Sequence, residues 1–379
     1  MSAGVISATI NDTAMAQSAK KRLPMIDIAK GIGILLIVLG HNGMFNIHLP
    51  FLADLFASFR IPFFFFMSGV TFSLGDKNIR RIVIERADAW LKPCLIVVLT
   101  LGVLYVAVGR RDIESMFVSL VYASGFTFSW PPLWFLPHLW LVYVSATALL
   151  IWGARLFDVP WRRVVSLTFL AIGGYYLLQH FSSPLENPRC EEQSTFSPTL
   201  FECGLPYSAD LLLITLFFFL MGHFLSSRIK SFKPHPLLGL LALGMLITLG
   251  MLFPQRMDLN HRLYENILLT PLQAFFGIFF MLCVCAYMAL SAPIARVFAY
   301  FGRVSLFILI FHSPIVFYIT RGLPRFVDSA LIVGIAAFVI PIVFSLVLYY
   351  LCQSNRWLRL LMFPVKQSRS LPARTSAKA

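Results

Sequence analysis

Ile26-Asp27-Ile28-Ala29-Lys30-Gly31-Ile32-Gly33-Ile34-Leu35-Leu36-Ile37-Val38-Leu39-Gly40-His41 decides how this sequence is read. It is apolar throughout except for three ionisable residues. Lys30 and His41 are eleven positions apart, nearly three full helical turns, so they share one helix face about 16 Å apart along the axis. Asp27 precedes Lys30 by one turn and can neutralise it. Gly31, Gly33 and Gly40 leave that surface open to a neighbouring helix or a ligand. A charge in a bilayer interior costs at least ~2.5–3.5 kcal/mol, so ionisable residues there are functional candidates. The plainer alternative has Asp27 and Lys30 reaching the interface and His41 capping the far end.

The rest of the chain agrees with a membrane reading. Its 379 residues are 58% hydrophobic and 13% charged, against about 25% charged in soluble domains. Apolar runs fall near residues 26–46, 50–74, 91–109, 132–153, 164–181, 206–227, 236–254, 266–290, 304–320 and 329–351. At roughly 20 residues per crossing they predict an all-α, polytopic integral membrane bundle of about ten transmembrane helices. The net charge of +14 does not indicate nucleic acid, because the basic residues sit between the apolar runs. The segments on the N-terminal side of the membrane hold 22 of the 31 Lys and Arg residues. This bias predicts that both termini are cytoplasmic. The N-terminus carries Lys20, Lys21 and Arg22, and no small-residue cleavage site follows, so a cleaved signal peptide is not expected. The organisation expected is a cytoplasmic tail at 1–21, a transmembrane domain at 22–355 and a basic cytoplasmic tail at 356–379.

Cys94, Cys283, Cys285 and Cys352 lie in or beside apolar runs and read as small buried hydrophobes. Cys190 and Cys203 share the polar loop 182–205, where they either pair in an oxidising compartment or remain free thiols. No Cys or His spacing suggests a metal site.

Further polar residues occupy costly places. Arg60 lies between apolar stretches just before Pro62, whose break in the helix ladder is tolerated where the segment lines a cavity within the protein. Ser68-Gly69 ends the same run. Ser305 and His312 are seven positions apart and share a face. Arg80, Arg81 and Arg86, in the loop after the second run, have the side-chain chemistry for phosphates, though topogenic charge and lipid-headgroup contact explain them equally.

Five segments in order resemble the type-three transmembrane acyltransferase family, and especially its fucose-4-O-acetylase-like branch. They are Lys30 through His41, a basic residue and a histidine with ten residues between; Phe64-Phe65-Phe66-Met67-Ser68-Gly69; Trp134-Phe135-Leu136; Phe217-Phe218-Phe219-Leu220-Met221-Gly222-His223; and Phe301-Gly302-Arg303-Val304-Ser305 with the later His312. Arg60 stands where relatives often carry another polar residue. The resemblance spans roughly residues 22–355. It implies a standalone multi-pass enzyme of the cell (inner or plasma) membrane, in contact with membrane lipid and without a permanently bound cofactor. Such an enzyme moves an acyl group, most simply acetyl, from cytoplasmic acyl-CoA (acetyl-CoA) to a sugar hydroxyl of a cell-surface glycan, an exopolysaccharide or a lipid-linked oligosaccharide precursor.

Under this reading His41 is the base or a covalent acyl carrier, because a sugar hydroxyl is a poor nucleophile at neutral pH. Lys30 holds donor phosphate or orients the site, with Asp27 as its counter-ion. Ser68, Arg303 and Ser305 are candidate donors to the oxyanion, and His312 is a further catalytic candidate. Arg60, Arg80, Arg81 and Arg86 are candidate contacts of acyl-CoA. The rival expectation is a transporter or flippase for a polysaccharide precursor, with the same intramembrane charges as substrate or proton sites.

Overall fold

The computed structural model describes residues 23–75, 78–183, 187–191 and 193–365. The expected N-terminal tail and the final stretch of the C-terminal tail lie outside the described residues. The protein is an all-α polytopic membrane bundle. Its main helices are α1 (Pro24–Gly40), α2 (Pro50–Thr71), α3 (Lys92–Ala107), α4 (Phe135–Trp152), α5 (Pro160–Leu178), α6 (Leu212–Phe224), α7 (Pro236–Leu252), α8 (Leu269–Met288), α9 (Ala292–Gly322) and α10 (Ala330–Ser354). Among the described residues, seven helical stretches are long and apolar enough to cross a membrane; α1, α5 and α7 are not among them. The first and last of these have only 17 residues, and α5 opens with Pro160-Trp161-Arg162-Arg163.

Two boundaries differ from those expected. Residues 26–46 do not form one helix: α1 stops at Gly40, and Asn42 starts a short helix, Gly43–His48, by accepting from the Met44 and Phe45 amides. Asn42 also donates to the Gly334 carbonyl of α10 at 2.8 Å, which fixes the end of α1. Residues 291–303, expected as a loop, are the first turns of α9. Ser291 precedes the helix and Pro293 lies in its first turn, where proline costs no hydrogen bond. Arg296 and Arg303 are exposed, and charge on a solvent-facing turn does not stop a helix.

Helices α1 and α2 form the centre, packed on α9, α8 and α6. Two crossings bring backbones into contact. A Cβ on Gly31 would lie 2.0 Å from the Phe298 carbonyl oxygen, and one on Gly302 would lie 2.4 Å from that of Asp27. Likewise a Cβ on Gly69 would lie 1.8 Å from the Phe219 carbonyl oxygen, and one on Gly222 2.0 Å from that of Phe66. Without lipophilic contrast between protein and lipid, close approach at small residues is what holds such helices together. Both pairs are parallel: in each, the two glycines are opposite and each rests on a carbonyl one turn before the other. Phe59, Phe63, Phe65, Phe66, Phe218 and Phe219 fill the space between with fully or almost fully buried rings. Helix α10 has 28% of its apolar window buried against 61% for α8, so α10 is peripheral and presents its aliphatic side chains outward.

At the His41 end, loops form a cap. Met257–Asp258 (β1) pairs antiparallel with Leu263–Tyr264 (β2) in a short hairpin. Arg262, on its turn, donates from Nε and Nη2 to the two carboxylate oxygens of Asp210 at 2.9 and 3.1 Å. Both side chains are fully buried, and the guanidinium lies 4.3 Å from the Phe126 ring centroid. Asp210 also accepts from the Leu205 amide. Cys190 and Cys203 are disulfide-bonded, resolving the open pairing, and Gly204 next to them leaves room for Arg262, since a Cβ there would lie 2.2 Å from Nη2.

A buried pair that loses one partner leaves an uncompensated charge. Arg262→Met should therefore destabilise the protein by about 3–5 kcal/mol, and adding Asp210→Leu should recover much of that. Thermal unfolding of the purified variants in detergent checks this; equal stability of Arg262→Met and wild type would contradict it.

Candidate active site

Two polar clusters lie at opposite ends of the same helix face. The first surrounds Lys30. A cavity of about 190 Å³ is lined by Lys30, Ser68, Thr71, Trp90, Tyr143 and Ser305, among others. Lys30 and Ser305 reach it because the Gly31–Gly302 crossing brings α1 and α9 together; a Cβ on Gly302 would lie 3.3 Å from that of Lys30. Ser68 reaches it through the same turn of α2 whose Gly69 packs on α6. Asp27 and Arg86 lie within electrostatic reach of Lys30.

The arginine loop is a short helix, Ile79–Arg86, followed by a π-helical turn, Ala87–Leu91, that runs into α3. Trp140 of α4 donates to the Val83 carbonyl at 3.1 Å and holds the helix against the bundle. Arg86 lies over two rings beside the cavity, 5.3 Å from the Trp90 centroid and 4.9 Å from that of Tyr143. Arg81 instead pairs with Glu85 at 2.9 Å on the surface, and Arg80 is exposed. Arg303 is two residues from Ser305, about 200° around the helix, and its guanidinium lies over Tyr300 rather than in the cavity. The cluster thus joins Lys30, Ser68, Ser305 and Arg86, with Asp27 nearby, and leaves Arg80, Arg81 and Arg303 outside.

The second cluster surrounds His41. Its ring and that of His312 are 5.1 Å apart between centroids, tilted by 53°. The pair has the same register as the glycine crossing, because His41 and His312 each follow their glycine by ten residues on parallel helices. His312 is fully buried. Its Nδ1 faces the carbonyls of Ile308 and Leu309 at 2.8 and 2.9 Å, so that nitrogen carries the proton. Its Nε2 is then an unprotonated acceptor, buried without a hydrogen-bond partner in the protein. His41 is exposed. Arg60 of α2 covers Gly40 so closely that a Cβ there would lie 1.8 Å from Nη1. The guanidinium is therefore seated beside His41, at the far end of α1 from the Lys30 cavity.

Two residues with no signature in the sequence complete this cluster. Asp258 and His261 look like ordinary loop polarity, 217 or more positions from His41. The hairpin brings them within electrostatic reach of His41, and Asp258 within reach of Arg60. His261 Nδ1 lies 2.8 Å from Asp258 Oδ2. Burial alone would raise the Asp258 carboxyl, but the His261 hydrogen bonds and the Arg60 charge hold it below the ordinary carboxylate range. The Asp258 carboxylate in turn raises His261, so its imidazole keeps a proton to higher pH than a free one. A different histidine, His138, is fully buried between the Tyr207 carbonyl and the Thr215 hydroxyl; both nitrogens are satisfied and its role is packing.

A basic cavity at one end and an accessible histidine backed by an unprotonated imidazole at the other suit group transfer to a weak nucleophile. Comparison with characterised proteins and with solved structures finds no match. The profile of the acyltransferase-domain family matches residues 23–350, nearly the whole described chain and all the helices that build both clusters. The chain belongs to this type-three acyltransferase family and is a multi-pass membrane acyltransferase.

Proposed function

We propose that the enzyme takes an acetyl or similarly short acyl group from cytoplasmic acyl-CoA and places it on a sugar hydroxyl of a glycan or lipid-linked precursor on the other side of the membrane. The carrying observation is the arrangement of the Lys30 cavity and the His41–His312 pair on one continuous helix face about 16 Å apart, so that donor and acceptor approach from opposite ends. The family assignment replaces the transporter reading. Placement on the fucose-4-O-acetylase-like branch, in the plasma or inner membrane and with an exopolysaccharide acceptor, is part of the same proposal.

The orientation proposed has ten crossings and both termini in the cytoplasm. It rests on the loop charge bias and on the Cys190–Cys203 disulfide, which then falls on the oxidising side. The Lys30 cavity opens to the cytoplasm. Lys30 and Arg86 bring positive charge to the donor phosphates, which are well matched by guanidinium.

At the far end, His41 is the general base. Its ring stands beside that of His312, 5.1 Å between centroids, and its exposure leaves a ring nitrogen open to the sugar hydroxyl. The hydroxyl proton passes to His41 as the oxygen bonds to the thioester carbonyl. The carbon–sulfur bond then breaks, and His41 returns the proton to the CoA sulfur, giving ester and free thiol. Arg60, beside His41, is placed to stabilise the oxyanion.

Three outcomes follow. His41→Ala should lower acyl transfer by about 10²–10⁴-fold in protein that inserts normally, measured as CoA release with acetyl-CoA and glycan; full activity would remove His41 from the chemistry. Arg86→Gln should raise the donor KM by about ten- to a hundredfold, at ~1.4 kcal/mol per tenfold, with Arg80→Gln and Arg81→Gln changing it less; equal donor titrations for Arg86→Gln and wild type would leave the loop only topogenic. A reporter fused after Ala379 should be active only in the cytoplasm, and extracytoplasmic activity would overturn the orientation.

A further inference from the structure

The outer hairpin carries a histidine–carboxylate pair that the chemistry above does not use. The side chains of His261 and Asp258 remain 44% and 33% exposed, so solvent reaches them. Asp258 accepts from the His261 backbone amide at 3.2 Å and faces its Nδ1 at 2.8 Å. The ring is therefore held from two sides, and its Nε2 is left pointing away from the carboxylate. The hairpin itself cannot drift. Its β1 strand packs on α2, and Arg262, the residue after His261, is locked to Asp210 with both side chains fully buried.

The location matters as much as the geometry. Asp258 and His261 act electrostatically on His41, and Asp258 on Arg60, so the pair stands at the same end of the bundle as the base. Trp130 contributes a partly buried indole on the same end of the bundle, 6.3 Å from Phe311, the residue before His312. An aromatic face and rigid hydrogen-bonding groups at one end of a bundle are ingredients of a surface that binds a polar ring.

We propose that Asp258 and His261 form the acceptor-recognition element of this enzyme: His261, oriented by Asp258, presents Nε2 to a hydroxyl of the entering sugar and sets which hydroxyl faces His41. The assignment rests on the acyl-transfer reading above and deepens it by naming residues on the acceptor side. Asp258 is a positioning residue, because it acts through His261. The donor does not pass this hairpin, so donor binding is independent of it.

The test uses full-length protein in detergent with acetyl-CoA as donor. The acceptor is surface polysaccharide from the producing cell, stripped of O-acetyl esters by mild alkali. Loss of one hydrogen bond to the acceptor should raise its KM about three- to tenfold in His261→Ala, while the donor KM stays put. His261→Gln, which keeps a polar group near the position of Nε2, should fall between His261→Ala and wild type. Asp258→Asn, which keeps an acceptor oxygen for the ring but loses the charge, supplies the same reading if His261→Ala fails to fold. An unchanged acceptor KM overturns the proposal, as does an equal rise in donor and acceptor KM. A hairpin with a purely structural role would lower thermal stability without separating the two KM values. If wild type transfers to this acceptor and His41→Ala does not, while His261→Ala matches wild type, only the recognition role fails. If wild type itself transfers nothing, the acyl-transfer reading fails and this proposal with it.

Discussion

The backbone contact between α1 and α9 at Gly31 and Gly302 is the constraint on which the rest depends. Each glycine sits against a carbonyl of the opposite helix at a separation that no side chain tolerates. Because the helices are parallel, one fixed crossing sets the register along their whole length. At the crossing, Lys30 and Ser305 meet in the cavity. Ten residues on, about 15 Å along the axis, His41 meets His312. The two halves of the site are thus coupled by helix geometry rather than by any chain of polar contacts. A bundle of this kind cannot rely on hydrophobic contrast with its surroundings, so small residues and backbone fit do the work that a water-excluded core does elsewhere. The crossing of α2 on α6 at Gly69 and Gly222 repeats the device and carries Ser68 to the cavity and Arg60 to the histidines.

This explains why the helical part of the site was legible. A Lys and a His eleven positions apart in an apolar run necessarily share a face, and no tertiary information is needed to see it. Glycines on that face announced a close neighbour, although not which one. The same periodicity argues against Arg303, which was joined to Ser305 by motif although a two-residue step on a helix turns the side chain to the other side. Arg80 and Arg81 were equally legible as charge but not as site. What separates Arg86 from them is the pair of rings, Trp90 and Tyr143, supplied by a π-helical turn and by α4, and neither could be placed from local pattern.

The outer cap was the illegible part. Asp258 and His261 take their meaning from a hairpin whose position is set by a buried ion pair between Arg262 and Asp210, 52 positions earlier, in a 3-10 turn that follows the loop closed by a disulfide whose pairing the sequence left open. A lone polar loop gives no signal of which buried partner anchors it. Long-range ionic anchoring is also a costly way to stabilise a fold, since desolvation of both charges opposes the attraction. Its advantage here is geometric: a bidentate guanidinium–carboxylate contact fixes orientation as well as distance, which a hairpin with two-residue strands could not achieve through its own ladder.

The exposure of the two central histidines divides their labour. His312 is sealed, with its Nδ1 proton held by two helix carbonyls, so no substrate can reach it and it can act only on what lies beside it. His41 is accessible, and its own backbone is pinned from both sides, by Asn42 on α10 and by Asn46, whose amide donates to the Gly40 carbonyl at 3.0 Å. A base must be both reachable and oriented, and neither ring satisfies both demands alone. In the proposed reaction the reachable His41 is the base, and its orientation comes from its pinned backbone and from packing beside the sealed His312 ring, 5.1 Å between centroids.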